Sequence, residues 1–125
     1  MDKNKLKYEE ITNAVIGSAF EVYNILGYGF LEKVYQRAMQ VELLQRGNSV
    51  ELEPKLQVKY KNIIVGDYAA DLLVDNCVIV ELKTEKKYNT KDEAQLLNEL
   101  KATGKEVGLL INFGKEKVEF KRFVY

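Results

Sequence analysis

From residue 7 to residue 26, Ile11, Ala14, Val15, Ala19, Val22, Ile25 and Leu26 fall on one stripe at helical spacing, with Ser18 among them. The spacing predicts an amphipathic helix over 7–26, and its small residues allow a second element to approach closely. Gly27-Tyr28-Gly29 ends it, and Leu31, Val34, Tyr35, Ala38, Val41 and Leu44 mark a second helix that stops at Gly47. The period then changes. Over 49–60, Val50, Leu52, Leu56, Val58 and Tyr60 alternate with Glu51, Glu53, Lys55, Gln57 and Lys59, which predicts one strand with a wet face. Pro54, the only proline, lacks the N–H that a ladder needs and marks an edge or a bulge. Lys61-Asn62 suits a tight turn into Ile63-Ile64-Val65, and after a candidate interruption at Gly66-Asp67 the strand pattern continues over 68–74.

Asp75-Asn76 turns the chain into Cys77-Val78-Ile79-Val80, a run without polar alternation, as in a strand buried on both faces. Thr90-Lys91-Asp92-Glu93 has the capping-box pattern and predicts a following helix with Leu96, Leu97 and Leu100 inward. Gln95 is expected on the opposite face with Glu99 and Ala102, and Gly104 is the stop. Val107 to Phe113 is a second buried run, suited to lie beside the first, and 118–124 alternates as a last strand. The order is α-α-β-β-β-α-β-β, an α/β chain expected to form one domain over residues 1–125.

Two residues break this pattern. Glu81 and Lys83 extend the buried run and, two positions apart, share one face of the strand. Taking a carboxylate and an ammonium out of water costs several kcal/mol each unless they are paired or bound to something. Asp71, ten residues before Glu81, lies in an apolar run that can form a hairpin with the first, so two carboxylates and a lysine can converge as a divalent-metal site. Sharing a metal requires Asp71 and Glu81 on one sheet face. A two-residue Asp75-Asn76 loop sets Asp71 opposite Val80, the wrong parity, so a three- or five-residue loop or a bulge is expected. The blander reading is a partly buried ion cluster at a sheet end. Glu32, flanking the apolar stripe of the second helix, is by spacing alone a solvated first-turn glutamate favoured by the helix dipole.

Composition narrows the chemistry. With no histidine, zinc and imidazole catalysis are not expected, and acid–base work falls to carboxylates, Lys, Tyr or metal-bound water. Lys+Arg and Asp+Glu both number 19, so a basic surface must be local, with Lys33, Arg37, Lys86, Lys87 and Lys91 as candidates near the acidic end. The single Cys77 suits a reducing, cytoplasmic setting. No leader pattern and no run near 18 apolar residues occurs, so no membrane partner is expected.

Gly29-Phe30-Leu31-Glu32-Lys33-Val34-Tyr35 matches the G-x-x-E-x-x-Y signature. Together with A-D-L-L-V, V-I-V-E-L-K, E-A-Q-L-L-N, L-K-A-T-G and G-L-L-I-N-F-G, in order, it resembles the GxxExxY family of small bacterial and archaeal proteins. That family is placed among the PD-(D/E)XK, restriction-endonuclease-like proteins. The resemblance implies a mixed central β-sheet flanked by helices. It also implies that Asp71 and Glu81 are the motif's acids and Lys83 its lysine, with Glu32 a helix carboxylate joining the site and Gln95 the helix glutamine. Glu99 stands where the family commonly carries an aromatic.

The implied function is a metal-dependent nuclease hydrolysing phosphodiester bonds in nucleic acid, DNA more than RNA. Asp71 and Glu81, with Glu32, would hold Mg²⁺ or Mn²⁺ and Lys83 would assist the attacking water. Two rivals are a catalytically silent nuclease-fold module binding a nucleic-acid or protein partner, and an assembly protein pairing through 118–124 as an exposed edge.

Overall fold

The computed structural model describes residues 3–125, with side chains from Tyr8 onward; residues 1 and 2 of the expected domain lie outside the described residues. Two helices, α1 (Lys3–Leu26) and α2 (Glu32–Gln45), precede the strands. Strands β1 (Val50–Leu52), β2 (Lys55–Tyr60), β3 (Ile63–Ala69), β4 (Leu72–Val74) and β5 (Val78–Lys83) follow. A 3-10 turn (Thr90–Asp92) leads into α3 (Glu93–Thr103), and β6 (Val107–Phe113) and β7 (Val118–Val124) close the chain. Five strands form a mixed sheet in the order β1-β4-β5-β6-β7, while β2 and β3 form a separate two-stranded ribbon. Only β5 and β6 run parallel, as the α3 crossover between them requires. Both are buried on two faces, which explains their unbroken apolar runs.

The sheet has two differently covered faces. Leu72, Val74, Val78, Val80, Leu82, Leu109, Ile111 and Phe113 pack with Val15, Ala19 and Val22 of α1 and Tyr35, Met39 and Leu43 of α2. On the other side Leu73, Ile79 and Leu110 meet Leu96 and Leu100 of α3 and Leu56 of the ribbon. Gly108 lets α3 come close, since a Cβ there would lie 2.8 Å from Leu96 Cδ1.

The α/β architecture is as expected, but five local readings change. The stripe expected on the second helix is rotated: Leu31, Val34, Val41 and Leu44 are exposed, and α2 instead buries Gln36, Met39 and Leu43 with Tyr35, the face that meets α1 and the sheet. The strand expected over 49–60 splits into β1 and β2, because Glu53 adopts a positive φ of 50° and Pro54 is buried at the corner. Gly66-Asp67 does not interrupt β3; the break comes at Ala70-Asp71, before β4. Asn89, not Thr90, caps the turn before α3 by accepting from the Lys91 N–H, while Glu93 accepts from the Tyr88 hydroxyl at 2.8 Å. On α3, Leu97 is exposed and Glu99 is buried, the reverse of the expected faces.

The loop between β4 and β5 has the length that parity demands. Val74 pairs with Val78, leaving Asp75, Asn76 and Cys77 in a three-residue loop. Asp75 and Asn76 take left-handed φ values of 50° and 56°, and the Cys77 N–H donates to Val74 O at 3.0 Å. The Asp75 carboxylate pins the loop by accepting from Asn48 Nδ2 and the Ser49 N–H at 2.7 and 2.8 Å. Since Leu72 faces Val80, the next position sets Asp71 opposite Glu81.

Candidate active site

Asp71 sits just outside the β4 ladder and is held by the chain around it. Its Oδ2 accepts from the Leu82 N–H at 2.7 Å, and its carbonyl accepts from the Glu53 N–H and from Gln36 Nε2, both at 3.0 Å. Glu81, 3% exposed, follows Ile79 on the α3 face of β5. Lys83 is next on that face, and its Nζ donates to Gln95 Oε1 at 3.4 Å. Gln95 Nε2 in turn donates to Glu81 Oε2 at 3.4 Å. Gln95 therefore looks toward the sheet, not away from the α3 leucines, and ties the acid to the lysine with one amide. Both bonds are long against the usual 2.9–3.0 Å, so the amide has room to shift.

Glu32 reaches the same place from the other side of the sheet. α2 does not lie across the face that carries Glu81 and Lys83, because Tyr35, Met39 and Leu43 pack on the opposite face. Glu32 instead arrives at the sheet end from the first turn of α2, with its carboxyl at hydrogen-bonding range of Asp71. Burial, then Asp71, push its pKa up to about 7. The G-x-x-E-x-x-Y spacing explains how it is aimed. Three residues later on the helix, the fully buried Tyr35 stacks on Phe113 at 4.3 Å and donates its hydroxyl to Gly27 O at the end of α1. Gly27 and Gly29 supply the positive φ values, 71° and 113°, that turn the chain between the helices. The tyrosine fixes the corner and the glutamate projects from it.

A further acid escaped the sequence reading. Glu99, 1% exposed, lies one helical turn beyond Gln95 and comes into carboxyl–carboxyl contact with Glu81. Desolvation, then Glu99 and Asp71, push the Glu81 pKa up to about 10, and burial raises that of Glu99 as well. One Glu81 oxygen and both Glu99 oxygens are buried without a hydrogen-bond donor. Two carboxylates in contact cannot both remain ionised and dry, so the pair calls for a shared proton or a cation. The available signal was the acid's place between Leu96 and Leu100, on the stripe that must face the sheet. Nearby, Glu85 and Asp92 make a similar contact, and burial raises the Glu85 pKa.

The donor set suits a hard cation. Mg²⁺ takes oxygen ligands and commonly uses one or two carboxylates while keeping several waters. The unpartnered Glu81 oxygen beside Asp71 offers that much. Among the described residues, no three His, Cys, Asp or Glu side chains are disposed to hold one ion, so the protein supplies a partial cage at most.

A family model described as the PD-(D/E)XK nuclease superfamily matches residues 9–123, almost the whole chain. The chain belongs to the PD-(D/E)XK nuclease superfamily. Its helices and mixed sheet are consistent with the restriction-endonuclease-like fold. The crystal structure of SSO0001 superposes with a TM-score of 0.58 at 16% identity, covering 97% of this chain and 61% of that one. This chain thus spans less than two thirds of SSO0001, and the likeness concerns the fold alone. An alkaline exonuclease, LHK-Exo, from Laribacter hongkongensis is 12% identical, with a TM-score of 0.40 over 93% of this chain and 81% of the exonuclease. No curated protein sequence matches. Among the described residues no helix is long and apolar enough to cross a membrane.

Proposed function

We propose that this PD-(D/E)XK protein is a metal-dependent nuclease that hydrolyses phosphodiester bonds in nucleic acid, DNA more than RNA. The observation that carries the reading is the register: a three-residue loop sets Asp71 opposite Glu81, with Lys83 next on the same face. Asp71 and Glu81 would hold Mg²⁺ or Mn²⁺, and Glu32, in contact with Asp71, would steady a metal-bound water or move in as a further ligand when the metal binds. When bound, the metal supplies an activated water and neutralises charge developing on the phosphate. Lys83 orients the attacking water and stabilises the crowded negative charge of the transition state. Gln95 positions Lys83 against Glu81 through two hydrogen bonds of its side-chain amide. Basic side chains stand at the same end of the sheet, where Lys86, Lys87, Lys115 and Lys117 outnumber Glu116 and Glu119 around a 410 Å³ concavity. The G-x-x-E-x-x-Y residues and the later blocks support placing the chain within the superfamily's GxxExxY family.

The test pairs calorimetry with a cleavage assay. Wild-type protein should show a saturable Mn²⁺ or Mg²⁺ heat and metal-dependent cleavage of DNA, and Glu81→Ala should lose both. The Glu81–Glu99 contact favours one other reading, a silent nuclease-fold module in which a shared proton takes the cation's place. Absence of any divalent-metal heat at millimolar ion, with Glu81→Ala more stable than wild type, would select that module instead.

A further inference from the structure

The ribbon of β2 and β3 stands apart from the main sheet, and its exposed side chains have a distinct composition. Between residues 55 and 69 it carries Lys55, Lys59 and Lys61 against one acid, Asp67. Its Tyr60 and Tyr68 rings are 63% and 50% exposed. The base of the ribbon rests on α3 through Leu56, and between the two lies a 660 Å³ cleft. Lys59 and Tyr68 from the ribbon and Asn98 and Lys101 from α3 line it together with Gln57, Val58 and Ala102. No carboxylate is among the lining residues.

The cleft is also tied to the site. Gln95, Asn98 and Ala102 fall on one helical stripe, and Lys101 lies about 9 Å along the axis from Gln95 at 1.5 Å per residue. That span is short enough for a strand of a few nucleotides to bridge the cleft and the acid cluster. β3 ends at Ala69, two residues before Asp71, so the ribbon feeds directly into the acid cluster.

We propose that this cleft holds a single strand of nucleic acid alongside the acid cluster, with Lys59 and Lys101 on its phosphates and the Tyr68 ring under a base. The inference rests on the nuclease reading above and names the form of its substrate. A positive groove combined with an exposed aromatic face is the chemistry that takes a single strand without sequence preference. A duplex keeps its bases stacked on each other and offers nothing to the Tyr68 ring.

Fluorescence anisotropy with a labelled DNA oligonucleotide tests this, using the full chain with chelator present so that the probe stays intact. The single strand should bind more tightly than the duplex of the same sequence. Lys59→Gln with Lys101→Gln should lower the slope of log affinity against log salt by about 1.4, at 0.7 per phosphate contact. Tyr68→Leu should weaken the single strand about 5- to 100-fold and leave the duplex unchanged. All three residues are outside the acid cluster, so the Mn²⁺ heat should be that of wild type. Unchanged single-strand affinity in these variants, equal or tighter duplex binding, or no binding by wild type would overturn the proposal. So would a concentration-dependent dimer abolished by Tyr68→Leu, which would make the ribbon a contact between copies of the chain. Loss of Mn²⁺ heat in Glu81→Ala while the oligonucleotide results fail would leave the nuclease reading standing and remove only this one.

Discussion

The two faces of the central sheet use the same strands for opposite ends. Toward α1 and α2, β5 presents Val78, Val80 and Leu82, all fully buried and all apolar. Toward α3 it presents Ile79, then Glu81 and Lys83, and the core gives way to charge within two positions. On the first face burial is stabilising at each step. On the second, the carboxylates of Asp71, Glu81 and Glu99 crowd together with oxygens lacking donors, an arrangement that costs stability when nothing is bound. Stability and chemistry are thus separated by the pleat, one residue apart in sequence.

Adjacent substitutions at 82 and 83 should separate the faces most sharply. On the proposed mechanism Lys83→Ala should cut DNA turnover by about 10²–10³-fold while leaving the Mn²⁺ heat and the urea midpoint near wild type, because its contribution would be made in the transition state. Leu82→Ala should lower unfolding free energy by about 2–5 kcal/mol in urea titrations, the cost of a large cavity in a closed core. Comparable loss of turnover without destabilisation in both variants would erase the distinction. Next in size is Tyr35→Phe, which keeps the Phe113 stack but removes the hydroxyl from Gly27 O. A loss of about 1–2 kcal/mol in stability is expected, with weaker metal binding by calorimetry as Glu32 loses its aim.

The pH dependence provides the finest discrimination. Glu32 and Glu81 have folded pKa values raised above their ordinary 4.5, to about 7 and about 10. Their protonated forms favour the folded state, so this contribution is complete below about pH 4.5 and is lost as pH rises through 7 and toward 10. The melting temperature of metal-free protein should therefore decline between pH 5 and pH 9. Mg²⁺ or Mn²⁺ should flatten the decline by replacing the protons. Leu82→Ala should move the whole curve down with its slope unchanged, whereas Glu81→Gln should remove much of the slope.

Periodicity revealed the elements that build the first face but not the inward stripe of α2, where Leu31, Val34, Val41 and Leu44 are exposed and Tyr35, Gln36, Met39 and Leu43 are buried. The buried runs at β5 and β6, the two helices and the β7 edge all follow from the spacing of apolar side chains. The second face was legible where charge interrupted an apolar run, at Glu81 and Lys83, and where parity forced a loop length. Glu99 was hidden because a glutamate in a helix ordinarily reads as solvent-facing, and Leu97 beside it offered a plausible inward residue. Tertiary approach of α3 at Gly108 decided between them. The split at Glu53-Pro54 was equally obscure: the alternating pattern continues across it, and only a positive φ at Glu53 parts the ribbon from the sheet.

The three residues Asp75, Asn76 and Cys77 impose an unequal tolerance to genetic change. Side chains there are restricted, because the Asp75 carboxylate pins the loop and the left-handed φ at Asp75 and Asn76 favours Asn, Asp or Gly. Deleting one of the three would turn every residue of β4 over relative to β5, carrying Asp71 away from Glu81 and exchanging Leu72 and Val74 with Leu73 between the two core faces. Lineages descending from this chain should conserve the length of this loop above its sequence, since a single lost codon would part Asp71 from Glu81.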